Sequence, residues 1–410
     1  MTKRFIRVLS VGLLLSLLVH LAYAEEKASA LRWEKLDDLP RGVFLAAASI
    51  TGRQAVLTGG VEQSGQTSVA VQVLDLDKKT WLPPSPKPLM LGTSRSGHAQ
   101  VTLADGRIFV AGGMTGRLPA ALQPLGSCEI IDVRTGSVEA GPKLPNPAGG
   151  PVALLLPDGK VIVIDGGAAS VLDPATLKWK QHIQLRESRQ DHAAAVLKDG
   201  RVLVAGGVNR RTLELIDPAT GVSRQLRDQL PFGNDDLRML TLPDGRLWVL
   251  GGQNSRGGDT TDATWLIDLS KPSGQRVSDG PALGIKAGIA DAFTGVIGPW
   301  AIIGGGESQQ GGHDTELSLA RLLDLRTLGV WSLPVISEPH DDAAAVVSDR
   351  CLIVLGGYRV GAIALGNARV QGLPDVPVAS ATVEMLELPA AALTGPPPSL
   401  PARKPRMDQQ

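Results

Sequence analysis

The amino-acid sequence predicts an all-β protein, a β-propeller of seven blades. An aliphatic run ends in a Gly-Gly pair seven times along the 410 residues, with 40 to 54 residues between successive pairs. A run rich in small apolar residues precedes each pair, and a run ending in Asp follows most of them. A repeat of this length suits one four-stranded blade per unit. The pairs are Gly59-Gly60, Gly112-Gly113, Gly166-Gly167, Gly206-Gly207, Gly251-Gly252, Gly305-Gly306 and Gly356-Gly357.

Each unit predicts four strands, which we name A to D from the propeller axis outwards. Strand A is rich in Ala, as in Ala193-Ala194-Ala195, because little room exists where the blades converge. A tight turn such as Asp199-Gly200 follows, and Asp-Gly between apolar runs is a strong hairpin signal. Strand B is the aliphatic run into the Gly pair, strand C ends in Asp, and strand D carries Trp in several units.

The seventh unit lacks a fourth strand, and the missing strand is predicted at the other end of the chain. The segment from Arg32 to Leu36 resembles an outer strand with its Trp, so we expect it to complete blade 7. Such closure removes the gap between the first and last blades. The propeller is therefore predicted over residues 31–390, followed by a disordered, Pro-rich basic tail over residues 391–410.

Residues 1–24 predict export. A basic start, an apolar run from Val8 to about Leu21 and Ala22-Tyr23-Ala24 are typical of a cleaved signal peptide. We expect a periplasmic or extracellular protein with no membrane span after cleavage. Cleavage would leave 38 basic and 41 acidic residues, and such a balance gives no excess of cations for binding nucleic acid. Cys128 and Cys351 lie in blades 2 and 7, too far apart to bridge, and both are predicted to be small apolar residues.

The sequence resembles the Kelch-repeat family and the galactose-oxidase-like seven-bladed propellers. The resemblance rests on the Gly pairs, on the Asp-to-Trp spacing in Asp75/Trp81 and Asp173/Trp179, and on two segments, Arg95-Ser-Gly-His98 and Arg189-Gln-Asp-His192. It implies a propeller that binds a partner or a carbohydrate, or in a few cases an enzyme. The copper-radical oxidases of this superfamily need two Tyr ligands, and the chain beyond residue 24 has only Tyr358. Asp-box sialidase motifs are absent, and the similar sialic-acid mutarotases have six blades.

The predicted site lies on the face that carries the D–A and B–C loops, because the A–B turns on the opposite face are short. Counting back from each A–B turn aligns Phe44, His98, Pro151, His192, Leu237, Asp291 and Asp342 at the starts of the A strands. Polar residues cluster just before or at these positions. The candidate ligand-binding residues are Arg41, Arg95, His98, Arg189, Asp191, His192, Asp236, Asp291, His340 and Asp341.

This mixed ring of His, Asp and Arg leaves several functions open. It could hold a metal, a sugar or a carboxylate, or the Arg and His side chains could simply satisfy backbone groups of adjacent blades. No local metal-ligand spacing or catalytic motif is present, so we predict no metal and no cofactor. The B–C loops add Glu307 and Tyr358 as candidates.

We favour a non-catalytic propeller that binds a carbohydrate or a protein. The alternative is a mutarotase-, epimerase- or lyase-like enzyme acting on a sugar acid such as sialic acid. In that enzyme Arg41, Arg95 and Arg189 would hold the carboxylate, and His98 or His192 would move a proton.

Overall fold

The computed structural model describes residues 31–83, 87–254, 258–361 and 376–395, and these residues fold into seven sheets arranged as a propeller. The predicted signal peptide and most of the predicted tail lie outside the described residues. No helix within the described part of the chain is long and apolar enough to cross a membrane.

The strands of blades 1 to 4 follow the predicted order A, B, C and D. Blade 3 differs because its B and C segments form one continuous run, whose first half pairs with strand A and second half with strand D. The strands are Ala47–Thr51, Gln54–Thr58, Ser68–Asp75 and Thr80–Trp81 in blade 1; Ala99–Thr102, Ile108–Ala111, Cys128–Asp132 and Ser137–Ala140 in blade 2; Val152–Leu155, Val161–Asp173 and Lys178–Arg189 in blade 3; and Ala193–Val196, Val202–Ala205, Thr212–Asp217 and Val222–Gln229 in blade 4. A further strand, Met90–Arg95, pairs with strand C of blade 1.

Blades 5 to 7 keep the same order, and blade 7 takes its outer strand from the start of the folded chain. The strands are Arg238–Thr241, Leu247–Leu250, Thr264–Ile267 and Val277–Asp279 in blade 5; Phe293–Ile297, Trp300–Gly304, Ala320–Asp324 and Val330–Ser332 in blade 6; and Ala344–Ser348, Cys351–Leu355, Val383–Glu387 and Trp33–Lys35 in blade 7.

The predicted ring closure is confirmed. Trp33–Lys35 pairs antiparallel with Val383–Glu387, with Trp33 opposite Leu386 and Lys35 opposite Glu384. The Trp33 indole also donates a hydrogen bond of 3.0 Å to the carbonyl of Pro334, which follows the outer strand of blade 6. Trp81 and Trp179 make the same kind of bond to Asp37 and Lys143. The repeated Trp therefore ties each of these outer strands to the blade before it.

The core lies between the blades. The buried apolar side chains of the described residues form seven clusters, and each cluster joins two neighbouring blades. Strand B of blade 4 shows why its sequence is aliphatic throughout. Leu203 packs towards blade 5, whereas Val202 and Val204 pack towards blade 3, so both faces of the strand are buried. Both cysteines are free, Cys128 buried and Cys351 half-buried.

The Gly pairs lie where strand B approaches the next blade. Gly206 has φ +69°, and a Cβ there would lie 2.4 Å from the carbonyl oxygen of Asn234 and from the Leu237 side chain of blade 5. Only glycine combines a left-handed backbone with such close approach. Strand A of most blades contacts strand A of both neighbours, as Ala47–Thr51 does with Ala99–Thr102 and Ala344–Ser348. The A strands therefore form the innermost ring, as predicted.

Short two-stranded ladders extend the D–A/B–C face. They comprise Val43–Phe44 with Val61–Glu62, Met114–Thr115 with Gln123–Pro124, Asn234–Asp235 with Gln253–Asn254, Glu307–Gln310 with His313–Glu316, and Tyr358–Gly361 with Val376–Ala379.

The tail that was predicted to be disordered is folded at its start. Ala390–Leu393 forms a 3-10 helix, and the Ala392 carbonyl accepts a hydrogen bond of 2.7 Å from the Trp300 indole.

Candidate ligand site at the channel mouth

One backbone position is equivalent in all seven blades, two residues before strand A begins. Leu45, Gly97 and Gly150 occupy it in blades 1 to 3, whereas blades 4 to 7 all place Asp there. Each Asp is left-handed, with φ between 50° and 54°, a conformation that Asp tolerates better than most residues. The four are Asp191, Asp236, Asp291 and Asp342. We call them the Asp crescent, because they lie side by side at the mouth of the channel on one half of the ring.

A second set of polar residues faces the same half. The residue directly after each Gly pair returns beside the start of strand A, as the bridges Asp235↔Gln253, Ala290↔Glu307 and Asp341↔Tyr358 show. Blades 5 to 7 carry Gln253, Glu307 and Tyr358 there. Blades 1 to 4 carry Val61, Met114, Ala168 and Val208. The mouth is therefore polar on the side of blades 5 to 7 and apolar on the opposite side.

The acidic groups of the mouth contact one another. The carboxyls of Asp236 and Asp291 are hydrogen-bonded across blades 5 and 6, so one of them carries a proton. Asp341 and Tyr358 are hydrogen-bonded within blade 7. Arg238 acts on the whole Asp crescent, because its positive charge stabilises the charged forms of the four carboxyls and lowers their pKa values. Its Nε donates a hydrogen bond of 2.6 Å to the carbonyl of Ala292.

Burial and mutual repulsion raise the pKa values throughout this cluster. Burial, followed by the charge of Asp291, raises the pKa of Asp236 to about 9 and that of Asp341 to about 8. The same two causes raise the pKa of Glu307 to about 7. The pKa values of Asp291 and Asp342 are also raised, mainly by burial. Carboxyls held above their ordinary pKa values at a cleft are a recognised mark of functional sites.

The tightest part of the cluster consists of Asp291, Asp341 and Asp342, which each offer a carboxylate oxygen within 4.8 Å of the others. This spacing would suit a cation, but it is equally the spacing of carboxyls that share protons. Because the spacing alone does not distinguish these two cases, we assign no metal to these carboxyls. The prediction of no metal and no cofactor stays a prediction.

Two predicted residues, Arg95 and Arg189, point into the blades instead of into the channel. The Arg95 guanidinium is fully buried and donates a hydrogen bond of 2.6 Å to the carbonyl of Gly112. It also forms an ion pair with Glu129 at 2.6 Å. Arg189 is equally buried and donates 2.8 Å to the carbonyl of Gly206. Its other partners include Glu214, 3.6 Å away. These guanidinium groups satisfy backbone and carboxylate groups, which is the structural alternative that the sequence left open.

The predicted histidines are also inside the blades. His98 is buried, its Nε2 lies 2.8 Å from the Thr58 hydroxyl, and burial lowers its pKa to about 3. Burial likewise lowers the pKa of His192 to about 4. His340 is fully buried between the Gly356 carbonyl and Glu384. Arg41 remains on the surface, 3.3 Å from Glu62.

The structure corrects the alignment of three blades. His98 and His192 directly precede strand A, and the equivalent residues in blades 1, 6 and 7 are Ala46, Ala292 and Ala343. Phe44, Asp291 and Asp342 had been aligned with them. Of the predicted residues, the mouth brings together Asp191, Asp236, Asp291 and Asp341. The sequence analysis did not identify Arg238 or Gln253. Aligning the blades on the first residue of strand A, instead of on the A–B turn, would have shown that four blades share an Asp at the same position.

Comparisons with known proteins agree with the fold. The Kelch motif matches residues 95–145, and no curated protein matches the sequence. A fungal alcohol oxidase of the AA5 family, solved in complex with copper, is 16% identical, with 90% of this chain and 79% of the oxidase covered at a TM-score of 0.65. The structure of YjhT is also 16% identical, with 80% and 93% covered at a TM-score of 0.51.

Likenesses at this identity show the fold alone. The chain is a seven-bladed β-propeller, as the sequence predicted, and the match of residues 95–145 to the Kelch motif agrees with the resemblance described above. Copper chemistry of the oxidase kind does not fit the residues present, because the chain has only Tyr23 and Tyr358, and Tyr23 lies in the predicted signal peptide.

Proposed function

We propose that this propeller is a binding module that recognises a neutral carbohydrate at the polar half of its mouth, on the D–A/B–C face. The observation that carries the proposal is the Asp crescent: four consecutive blades place Asp at one equivalent position, and the other three blades do not. A repeat that maintained only the fold would not need this asymmetry. Binding sites on rigid scaffolds are found on such loops.

The protonation of the mouth suits hydroxyl groups. Asp236, with a pKa of about 9, keeps a proton at neutral pH and can donate a hydrogen bond. The neighbouring carboxylates accept hydrogen bonds. A sugar hydroxyl both donates and accepts, so this mixed set matches it. The apolar half, with Met114 and Val208, offers a surface for the C–H face of a ring.

Sugar acids fit this mouth poorly. Their carboxylate would face Asp291 and Glu307, and the charged forms of these two groups repel it. The arginines expected to bind that carboxylate, Arg95 and Arg189, are engaged with Glu129 and Glu214. One observation does favour an enzyme as a second candidate: the hydrogen-bonded pair Asp236 and Asp291 holds one proton between two carboxyls. Such a pair can act as general acid and base on a neutral glycoside.

We also propose that the chain is exported, on the strength of the signal-peptide pattern in residues 1–24. Amino-terminal sequencing of the protein recovered from a secreting host tests this. A mature chain that starts near Glu25 is expected, whereas a chain that retains Met1 and stays in the cytoplasm would contradict export.

Isothermal titration against neutral oligosaccharides, matched sugar acids, divalent cations and a cationic peptide tests the binding proposal. We expect a neutral oligosaccharide to bind. Asp291→Asn should weaken its affinity by about tenfold or more, because one or more good hydrogen bonds to the sugar are lost. Asp105→Asn, which makes the same change on the opposite face, is the control and should bind normally. Preference for a sugar acid, or equal binding by Asp291→Asn, would refute the assignment. Hydrolysis of the bound glycan that Asp236→Asn abolishes would favour the enzyme.

A further inference from the structure

Blade 3 contains a small cavity at a place that blades 2 and 4 fill with an arginine. Its volume is about 30 Å³, and its lining includes Ala148, Asp165, Ser170 and His182 together with residues 144–147. A space of this size holds one water-sized group. The carboxyls of the Asp crescent do not line it, so the inference below does not depend on the proposed function.

The equivalent place in blades 2 and 4 holds a buried ion pair. Four residues before strand A, Arg95 forms an ion pair with Glu129 at 2.6 Å, and Arg189 forms one with Glu214 at 3.6 Å. Each arginine also donates a hydrogen bond to the carbonyl of the first Gly of the pair in its own blade. In both blades the chain itself therefore supplies a cation beside a carboxylate of strand C.

Blade 3 has small residues at both of these positions. Ala148 stands four residues before strand A, which is the position of the arginine in the other two blades. Ser170 stands three residues before Asp173, the end of strand C, which is the position of the glutamate. A guanidinium and a carboxylate are thus absent from this part of blade 3, and their absence accounts for the cavity.

The carboxylate of the pair is kept in blade 3, but on a different strand. Asp165 stands six residues after the Gly of the Asp-Gly turn, at the position that Gly112 and Gly206 occupy in blades 2 and 4. It is half-buried and accepts a hydrogen bond of 3.1 Å from the Gly149 N–H. Burial raises its pKa, and the charge of Asp191 adds to this effect. Within the described residues no cationic side chain forms an ion pair with Asp165, so blade 3 has the acid of the pair without its cation.

We propose that this cavity binds a primary ammonium group from outside the chain, in place of the cation that blades 2 and 4 supply themselves. An ammonium is compact and has three N–H donors. The Asp165 carboxylate has lone pairs beyond the one that the Gly149 N–H uses. The Ser170 hydroxyl can donate to Nδ1 of His182, 3.1 Å away, and its oxygen can still accept from the ammonium.

The size and the entrance of the cavity favour an ammonium over a guanidinium. A guanidinium is a planar fork with five N–H donors, which needs more room than a space for one water. Ser170 and Ala148 are buried, whereas Asn146 and His182 are exposed. The cavity therefore has a closed floor and a solvent-facing rim through which a small cationic group can enter.

Titration of the isotope-labelled chain with methylammonium chloride, followed through backbone amide chemical shifts, tests this. We expect saturable shifts confined to residues 146–150, 165–170 and 182. Sodium chloride controls for ionic strength, and tetramethylammonium chloride has the same charge but no N–H donor and a larger volume. The amide of Nα-acetyl-lysine, titrated in the same way, distinguishes the two sources of an ammonium group: its binding indicates the lysine side chain of a partner, and binding of methylammonium alone indicates a small free amine.

Two variants complete the test. Asp165→Asn keeps an acceptor for the Gly149 N–H but removes the charge, so it should weaken methylammonium binding by about tenfold or more. Asp132→Asn, the same change at a turn of blade 2, is the control and should bind normally. If Asp165→Asn does not fold, Ala148→Lys decides, because its own ammonium can fill the cavity; it should resist urea better than Ala148→Met, which has a similar length and no charge.

Four results would each overturn the proposal. They are equal shifts with sodium or tetramethylammonium chloride, no response to any of these ions, which would mean a cavity that holds water only, unchanged methylammonium binding by Asp165→Asn, and a lower urea resistance of Ala148→Lys than of Ala148→Met.

Discussion

Asp236→Asn is expected to make the protein more stable while weakening its site. In the folded protein the pKa of Asp236 is about 9, whereas an Asp in an unfolded chain has a pKa of about 3.9. The folded state therefore holds a proton that the unfolded state releases. Stability falls for this reason as the pH rises from about 4 to about 9, and it no longer changes above that range. Asn carries no such cost, and its amide can still donate to Asp291.

The size of the effect follows from the shift. pH 7 lies about three units above the pKa of Asp in the unfolded chain, so keeping Asp236 protonated at pH 7 costs about 4 kcal/mol of folding free energy. This value is an upper limit because Asp291 and Asp236 titrate as a pair. We expect about half, roughly 2 kcal/mol in favour of Asp236→Asn, or a rise in melting temperature of roughly 3 °C or more. Below about pH 4 the two proteins should be equally stable.

Thermal and urea unfolding between pH 4 and 9 measure this difference. The control is Asp217→Asn, the same substitution at an exposed turn where hydrogen bonds from Thr220 hold the pKa of the Asp below its usual value. That variant should gain nothing, since the native charge of Asp217 favours folding above its unfolded pKa. If Asp236→Asn has the melting temperature and pH slope of the native protein, or is less stable at pH 8, the assignment of a strained acidic mouth is wrong.

Three further changes test the fold. Arg189→Met should cost about 3 to 5 kcal/mol in urea unfolding, because it leaves Glu214 as an uncompensated buried charge; a loss under 1 kcal/mol would contradict that role. Deleting residues 31–36 should lower the melting temperature markedly by opening blade 7, and an unchanged value would refute closure by this strand. Gly206→Ala should destabilise far more than Gly200→Ala: both have positive φ, but only at Gly206 does a Cβ meet the next blade, so equal melting temperatures would contradict the close approach.

The sequence predicted the fold more completely than the site. Asp-Gly turns, aliphatic B strands and Gly pairs are local signals, and each has a local physical cause. The closing strand was also predictable, because Trp33 repeats the Trp81 and Trp179 pattern of other outer strands. The folded turn at Ala390–Leu393 was not, since its docking depends on a contact with the distant Trp300 indole.

The site was only partly predictable. Asp191, Asp236, Asp291 and Asp341 were among the predicted residues, and the last three were identified from their departure from the repeat. Arg95 and Arg189 resembled ligand-binding cations equally well, yet their direction depends on Glu129 and Glu214, which lie 34 and 25 residues further along the chain. Arg238 lies within an A strand and carries no motif of its own, so its place beside four carboxyls could only be found in three dimensions.

The sequence by itself determined a ring of seven blades closed by both ends of the folded chain, because turns, strand composition and repetition act locally and recur along the chain. Only the tertiary structure decided which polar side chains face the channel. Successive side chains of a strand point to opposite sides, so an error of one residue in register moves a group from the channel into a blade. Burial by neighbouring blades then decides which of these groups become paired ions and which remain as proton-sharing carboxyls.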